Sequence, residues 1–409
     1  MPTNPTVISR SSATAGPGGG NADRFVPEIR DMILMYGPNI NPLTLISSKS
    51  KKRTVGNPTY KVMHDKQLPR YDRINNGAGY SNSATSLVVD NGSYFRANDL
   101  VRNTRTGEIF LVTAVSTNTL TAVRGYDSGA AGTGVAMLDN DELMIIGNSM
   151  SERAAAPSVL ITDPTTVTNY IQRFGRVTGL SVQREHTKEY GPKEAERQKK
   201  AAMIEFKKDI EYAFKFGKPL NDVEGASPLD SAVSDSRRQT GGLQYWIDNY
   251  ASANVLDAGG VITQNQLWDF VEPMFKDYPE DTTDQQFELM ALCSPKAFQV
   301  FHNWGIPVVR ISEKTKNYGL ALQTYQTPVG RLSLAQDYTL QGDEYNDWMF
   351  VINPSDLEYV CQQGLDMQLK TDIQNNDVHE KKDELFGYLG FGMGRPELHG
   401  YIKNMQLAA

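Results

Sequence analysis

The segment Pro192 to Gly217, PKEAERQKKAAMIEFKKDIEYAFKFG, constrains this chain more than any other. It predicts one long helix. Pro192 suits a first helical position, where a missing N–H costs nothing, and Gly217 followed by Lys218 and Pro219 supplies the stop. Met203, Phe206, Ile210 and Ala213, extended by Ala202 and Phe214, recur at steps of three and four and mark one narrow apolar face. Glu196/Lys200 and Glu211/Lys215 pair at i,i+4 and are expected on the opposite, solvated side. At about 1.5 Å per residue the rod is roughly 39 Å long, the width of a small domain. Periodicity alone fits any amphipathic helix on a globular core. The surroundings narrow the choice, because a loose arm and a run of short strands precede the helix and a mixed α/β body follows it.

The 409 residues predict two or three domains, with 39% hydrophobic and 22% charged residues, an ordinary soluble composition. No apolar run approaches the roughly 20 residues that cross a bilayer, and MPTNPTVISRSSATAGPGGG lacks the basic-then-apolar pattern of a secretory signal, so no membrane partner and a cytosolic site of synthesis are expected. Cys293 and Cys361 lie far apart and read as buried free thiols. The net charge of -7 is uneven: Met1 to Arg73 holds 11 Lys and Arg against 5 Asp and Glu, leaving 30 against 43 in the remainder. A basic arm therefore precedes an acidic body. Such an arm can hold nucleic acid or lie on the acidic body of a neighbouring copy. The cluster Lys49, Lys51, Lys52, Arg53 has few interleaved aromatics, which favours the neighbour.

Residues 1 to 22 offer almost nothing to bury and read as a disordered arm. A short helix is expected in VPEIRDMILMYG, then extended chain after Asn41-Pro42, then a strand from Thr54 to Gln67. Between Asn75 and Asn148 five or six short strands, among them GEIFLVTAVS, suit a small barrel or curled sheet; Ile109 to Ala114 is apolar on both alternations and is expected to be buried on both sides. Ala154 to Pro164 reads as a linker. Beyond Pro219, GLQYWIDNYA, QNQLWDFVEPMFKDY and PKAFQVFHNW read as helices, and ELMALC, Arg331–Leu334, Trp348–Ile352 and Leu365–Asp372 as strands. The glycine-rich ELFGYLGFGMGRPELHGYIKNM is expected to close the chain as a hairpin.

The motifs of catalysis are missing. There is no GxxxxGK[ST] phosphate loop and no GxSxG elbow, and Gly390, Gly392 and Gly394 sit in a β-like stretch, where close backbone approach explains them. HEKKD from His379 fails the zinc-protease pattern at Asp383, the other histidines (His64, His186, His302, His399) share no spacing, and Asp139 to Glu142 reads as a turn, not a calcium loop. Cys293, at the end of an apolar strand, reads as inert. No catalytic, cofactor-binding or metal residue is therefore assigned, and no enzyme activity is expected.

The order of parts, with NTRTGEIFLVTAVSTNTLTAVRGYDS, DNDELMIIGNS, TNYIQRFGRVTGLSV and the helix EAERQKKAAMIEFKKDIEYAFKFGK, resembles the major capsid proteins of tailed bacteriophages. That family has the Hong Kong 97-type fold, and the likeness is to the branch whose extended loop carries a small β insertion. The resemblance is strongest from Gly107 to Gly217.

The resemblance implies an α+β capsid fold. Its parts would be an N-terminal arm over 1–60, an extended loop with β insertion over 61–160, a peripheral domain with the spine helix over 161–220, an axial domain over 221–344 and returning peripheral strands over 345–409. It implies a structural protein of the virion that self-assembles, through hexamers and pentamers, into an icosahedral shell around double-stranded DNA, with no cofactor. Some relatives cross-link Lys to Asn between subunits; no lysine here matches that position, so noncovalent closure is expected. About twenty loose residues before Arg24 are too few for an attached scaffold, so a separate scaffolding protein is expected as a partner, with a portal and room for a decoration protein. The competing readings are a nucleic-acid-binding protein using its basic arm and a hydrolase with dispersed residues.

Overall fold

The computed structural model describes residues 41–65, 68–129, 132–152, 161–162, 164–187, 193–222, 237–276, 288–305, 315–317, 320–328 and 330–406. The expected arm over 1–22, the short helix in VPEIRDMILMYG and most of the linker at 154–164 lie outside them. Two compact units emerge: Met63–Thr166, and the remainder of the chain.

In the larger unit the helices are α1 (Pro42–Ser50), α2 (Val182–Glu185), α3 (Glu194–Phe216), α4 (Leu243–Tyr250), α5 (Gln264–Lys276) and α6 (Pro295–Gly305). The long helix is α3, about 35 Å by its rise per residue. Glu194 and Glu196 sit in its first turn, where the helix dipole favours carboxylates. It stops at Gly217 because the chain is crowded there: a Cβ would lie 2.4 Å from the carbonyl oxygens of both Ala213 and Thr240. Ala202, Phe206, Ile210 and Phe214 are buried at steps of four. Met203, expected on this face, is 48% exposed. The first half of α3 is covered mainly by the single strand Gln172–Ser181, with Phe174 edge-on to Phe206 at 6.5 Å, so only a narrow stripe is enclosed. Toward the C-terminus α1 also packs on α3, and Glu211 and Lys215, expected in solvent, are both fully buried.

Two sheets flank this helix system. In the first, Lys51–Val55 runs parallel to Leu357–Gln362, followed by Glu380–Met393 and Gln172–Ser181, with Gln368–Lys370 also on Glu380–Met393. The second has seven strands in the order Val255–Val261, Gly400–Gln406, Met349–Ile352, Glu288–Cys293, Arg331–Gln336, Leu320–Gln326, Thr315–Asn317. Residues from α5 and α6, including Leu267, Val271, Met274 and Phe301, share a core with Leu289, Leu332 and Val351 of this sheet. Three expected helices appear as α4, α5 and α6, and ELMALC is the buried strand Glu288–Cys293.

Several local expectations are corrected. The predicted C-terminal hairpin is absent: Glu380–Met393 and Gly400–Gln406 lie in different sheets, separated by the turn Pro396–Leu398. Both edges of Glu380–Met393 are taken by Leu357–Gln362 and Gln172–Ser181, and both edges of Gly400–Gln406 by Val255–Val261 and Met349–Ile352, so neither has an edge left for the other. The expected strand from Thr54 to Gln67 is two strands in separate sheets, Lys51–Val55 and Thr59–His64, and that from Leu365 to Asp372 shrinks to Gln368–Lys370. Chain after Asn41 is not extended but forms α1. The glycines behave as expected: a Cβ on Gly390 would lie 2.6 Å from the Tyr60 hydroxyl, which donates to the Phe391 carbonyl at 2.7 Å.

In the smaller unit six strands follow the order Tyr71–Arg73, Glu142–Asn148, Asp99–Asn103, Ile109–Ser116, Thr119–Val123, Ser86–Val88. An antiparallel bridge Ile74–Val89, with Asn75 N–H donating to Val88 and Asp90 N–H to Arg73 at 3.0 Å, joins the last strand to the first and closes the sheet into a barrel. Leu87, Val101, Phe110, Val112, Leu120 and Leu143 fill its interior. Ile109–Ser116 is therefore buried on one face alone: Phe110 and Val112 point in, Ile109 and Leu111 are half-buried and Thr113 and Ala114 exposed.

Phe206→Asp or Ile210→Asp drives a charge into the α3 seam and should abolish soluble folding, whereas Met203→Glu should change stability by no more than about 0.5 kcal/mol. Soluble yield and denaturant midpoints of the three variants check the assignment of the buried face.

Candidate functional site: buried charges and exposed faces

The sequence's weak candidates stay apart. His186, His302 and His379 are on the surface, Cys293 and Cys361 are buried free thiols, and burial pushes the Cys293 thiol up, the state of an unreactive cysteine. Among the described residues no group of three His, Cys, Asp or Glu could hold a metal ion. In the turn at Asp139 to Glu142, Asp141 takes the Arg105 guanidinium at 2.6 and 2.7 Å and N–H groups of Asn103 and Leu138, and this pairing holds it at about 2.

The chemistry that the fold concentrates is structural. Lys215, fully buried on α3, donates to Glu211 at 2.7 Å, Asp337 at 2.5 Å and the Thr339 hydroxyl, which satisfies all three ammonium protons. The Glu211 carboxylate also accepts Leu43 N–H at 2.9 Å and the Thr44 N–H and hydroxyl at 2.7 Å, groups at the start of α1. Asp337 accepts the Thr339 N–H at 2.9 Å and hydroxyl at 2.6 Å. Two carboxylates and one ammonium leave one negative charge, and it lies where the N-terminus of α1 presents its positive end. Burial pulls the Lys215 pKa down, but Asp337 and Glu211 outweigh it and leave it raised, so the ammonium persists at neutral pH. Its stabilising contribution is complete below the ordinary lysine range and is lost only as pH rises beyond it.

The barrel solves the same problem with Arg124, whose side chain is fully buried. Its five N–H groups reach Glu108 at 2.7 and 2.8 Å and the carbonyls of Ser81, Ala84 and Val135. Glu108 further accepts N–H groups of Gly125 and Val135. Burial raises the Glu108 pKa, but the Arg124 hydrogen bonds and these N–H groups overcome it and leave the carboxyl lowered. A third buried group is His399, whose Nδ1 accepts the Asn353 N–H at 3.2 Å. Burial, reinforced by the Arg395 charge, depresses it to about 3.

The basic cluster before Val55 is largely spent within its own chain. Lys51 and Arg53 face Glu358, and Lys52 meets Asp366. Those pairs remove three of the cations expected to clasp nucleic acid or a neighbour. One cleft of about 310 Å³ lies between strand Gln172–Ser181, the start of α3 and residues 371–383, lined by Lys199, Lys381, Glu185 and Asp383; its charges already pair as Lys199–Asp383 and Lys381–Glu185. It presents no nucleophile with an adjacent base.

A family model for the SU10 major capsid protein matches residues 9–406. The chain belongs to that family. This capsid protein is thus a structural component of a bacteriophage virion and not an enzyme, and with the observed α+β element order the Hong Kong 97-type class inferred from the sequence stands. No curated protein matches it. Among solved structures it is similar to the capsid of a native GTA particle (9% identity, 97% of this chain and 100% of that one, TM-score 0.45). Others are a structure of Mycobacterium phage Patience (8%, 64% and 79%, 0.43) and the holo-SrpI encapsulin complex of Synechococcus elongatus (11%, 61% and 79%, 0.41).

Sequence reading missed the Lys215 cluster, because an i,i+4 Glu–Lys pair looks the same in solvent and in a core. Its one available signal was position: Glu211 and Lys215 each sit one residue beyond a buried apolar residue, Ile210 and Phe214.

Lys215→Met leaves two carboxylates buried without their cation and should cost about 3–5 kcal/mol in denaturant unfolding; adding Glu211→Gln and Asp337→Asn should recover part of that loss. For His399, the unfolded chain takes up a proton near pH 6.5 that the folded chain refuses until about 3, so stability falls as pH drops through this window. Between pH 6.5 and 4.5 the loss should be about 2–3 kcal/mol, and urea titrations of His399→Gln, which keeps an acceptor for Asn353, should show a flatter slope there.

Proposed function

We propose that the capsid protein self-assembles, through hexamers and pentamers, into a closed icosahedral shell that encloses packaged double-stranded DNA without reading its sequence. The observation that carries this reading is the family match over residues 9–406, which includes both compact units. In this reading residues 1–60 form an arm whose end, α1 and Lys51–Val55, is anchored in the larger unit; 61–160 form an extended loop with a β insertion, 161–220 and 345–409 the peripheral domain around α3, and 221–344 the axial domain that meets its copies at five-fold and six-fold centres, sharing its sheet with Met349–Ile352 and Gly400–Gln406. The buried Lys215 cluster supports the role given to α3: a bar fixed at its C-terminal half by contacts with α1 and residues 337–339 resists bending when neighbours pull on it. An acid-rich remainder beyond Arg73 would keep DNA off the wall.

A separate scaffolding protein, a portal and a decoration protein are the partners that this assembly would use, in the host cytoplasm, with noncovalent closure between subunits. Among the described residues no helix is long and apolar enough to cross a membrane. Nucleic-acid binding through the basic segment is the weaker reading, since Lys51, Lys52 and Arg53 face carboxylates of their own chain.

Negative-stain electron microscopy of the protein co-expressed with its phage's scaffolding protein should show uniform closed shells, and only small species under all conditions would overturn the proposal. Denaturing gels of those shells should show the 45.4 kDa monomer alone, without a ladder of linked subunits.

A further inference from the structure

The barrel's outer face is unusual for a small closed sheet, whose outside is normally polar. Tyr71, 53% exposed, and Ile146, 44% exposed, stand out from it. The cross-strand rows Tyr71–Met144–Arg102–Ile109 and Leu100–Leu111–Val123 continue the same face, with their apolar members half-buried. The inward positions between them, Val101, Phe110 and Leu143, are already packed in the barrel core, so the outer residues serve no interior.

Arginine pairing in this unit is divided. Arg96, Arg105 and Arg124 each hold a carboxylate that is nearly or wholly buried. Arg70, Arg73 and Arg102 are exposed, and among the described residues their side chains make no ion pair or hydrogen bond. All three adjoin Tyr71: two are its neighbours or near-neighbours along the chain, and Arg102 lies across Met144 in the same row. The face also carries Glu142 opposite Arg73. Exposed Arg and Tyr beside a half-buried Met are the residue types enriched where proteins dock, and the excess cations call for carboxylates on whatever covers them.

The remainder of the chain supplies such carboxylates. Beyond Arg73 acids outnumber bases 43 to 30. Asp343 and Glu344 are adjacent, exposed and without a cation among the described residues, on a loop that Gly342 turns at φ +94°. We infer that the barrel's Tyr71–Arg73–Arg102 face docks on the acidic loop Gln341–Asp347 of a second copy of this chain. This rests on the shell reading and adds to it one surface and its counterpart. A charge pair at a docking rim sets register and partner choice more than raw affinity, so reversal of either side should block assembly and reversal of both should restore it.

The test uses the full-length chain. Arg73→Glu/Arg102→Glu and Asp343→Lys/Glu344→Lys should each fold, with wild-type circular dichroism and thermal midpoints, yet each should lower the yield of closed shells at least tenfold. The fourfold variant should return to within about threefold of wild type. Normal assembly of either double variant overturns the proposal, and so does failure of the fourfold variant to recover. A loss of salt-sensitive binding to a DNA duplex by the arginine variant, with assembly unaffected, would reassign the face to nucleic acid. Should the wild-type chain form no shells, the shell reading falls separately, and sedimentation equilibrium of the full chain then decides. Small oligomers lost and regained in the same pattern keep the docking, and monomers throughout overturn it.

Discussion

The larger unit is held to one arrangement by a single buried ammonium. Lys215 brings residues 42–44, 211–215 and 337–339 into one hydrogen-bonded set, and no pair of these segments is close in sequence. A buried ion pair is a poor source of net stability, because removing charges from water costs several kcal/mol each. Its effect is on alternatives. A shifted register of α3 would strand Glu211 or Lys215 in the core, and a displaced α1 would leave Glu211 without its N–H donors. Wrong packings are penalised more than the right one is favoured, which is the behaviour wanted of a rigid bar.

The barrel repeats the device with different chemistry. A planar guanidinium replaces the ammonium, and its five donors reach loops at 81–84 and 135 as well as the carboxylate of Glu108. The choice of cation follows the geometry. Lys215 meets three acceptors gathered at one point, which suits a compact charge; Arg124 spans acceptors spread across the turns that close one end of a sheet. In both units the apolar core supplies most of the burial and the polar centre supplies uniqueness.

How far the sequence disclosed this depends on the range of the interaction that fixes each part. Helix α3 and helices α4, α5 and α6 follow from local periodicity with caps and breakers, and those elements appear within a few residues of their expected bounds. Asn41-Pro42 serves as a helix start as readily as a breaker; what decides for α1 is Glu211, some 168 residues away in sequence, which accepts its first N–H groups. The missing C-terminal hairpin is a failure of the same kind. Turn residues between two strands signal a reversal but cannot say whether the strand edges are free, and here Gln172–Ser181 and Val255–Val261 already occupy them. Met203 was misplaced for the opposite reason: its apolar character was read correctly, but among the described residues that half of the helix is covered mainly by one strand. The family resemblance was legible because it rests on the order of parts, which survives such local errors.

Charge placement ties these observations to assembly. The chain carries a net charge of -7; Lys215 and Arg124 are buried against Glu211, Asp337 and Glu108, while the exposed Lys51 and Lys52 pair with Glu358 and Asp366, so its surface is net negative. Copies with such surfaces repel at long range, and at physiological salt that repulsion fades over about 8 Å. Association between them then depends on contacts short enough to escape screening, where an apolar patch or an unpaired cation meets its complement. Each cation paired within its own chain is one place fewer where copies attract, and a protein that must join its neighbours in one geometry and no other benefits from having few.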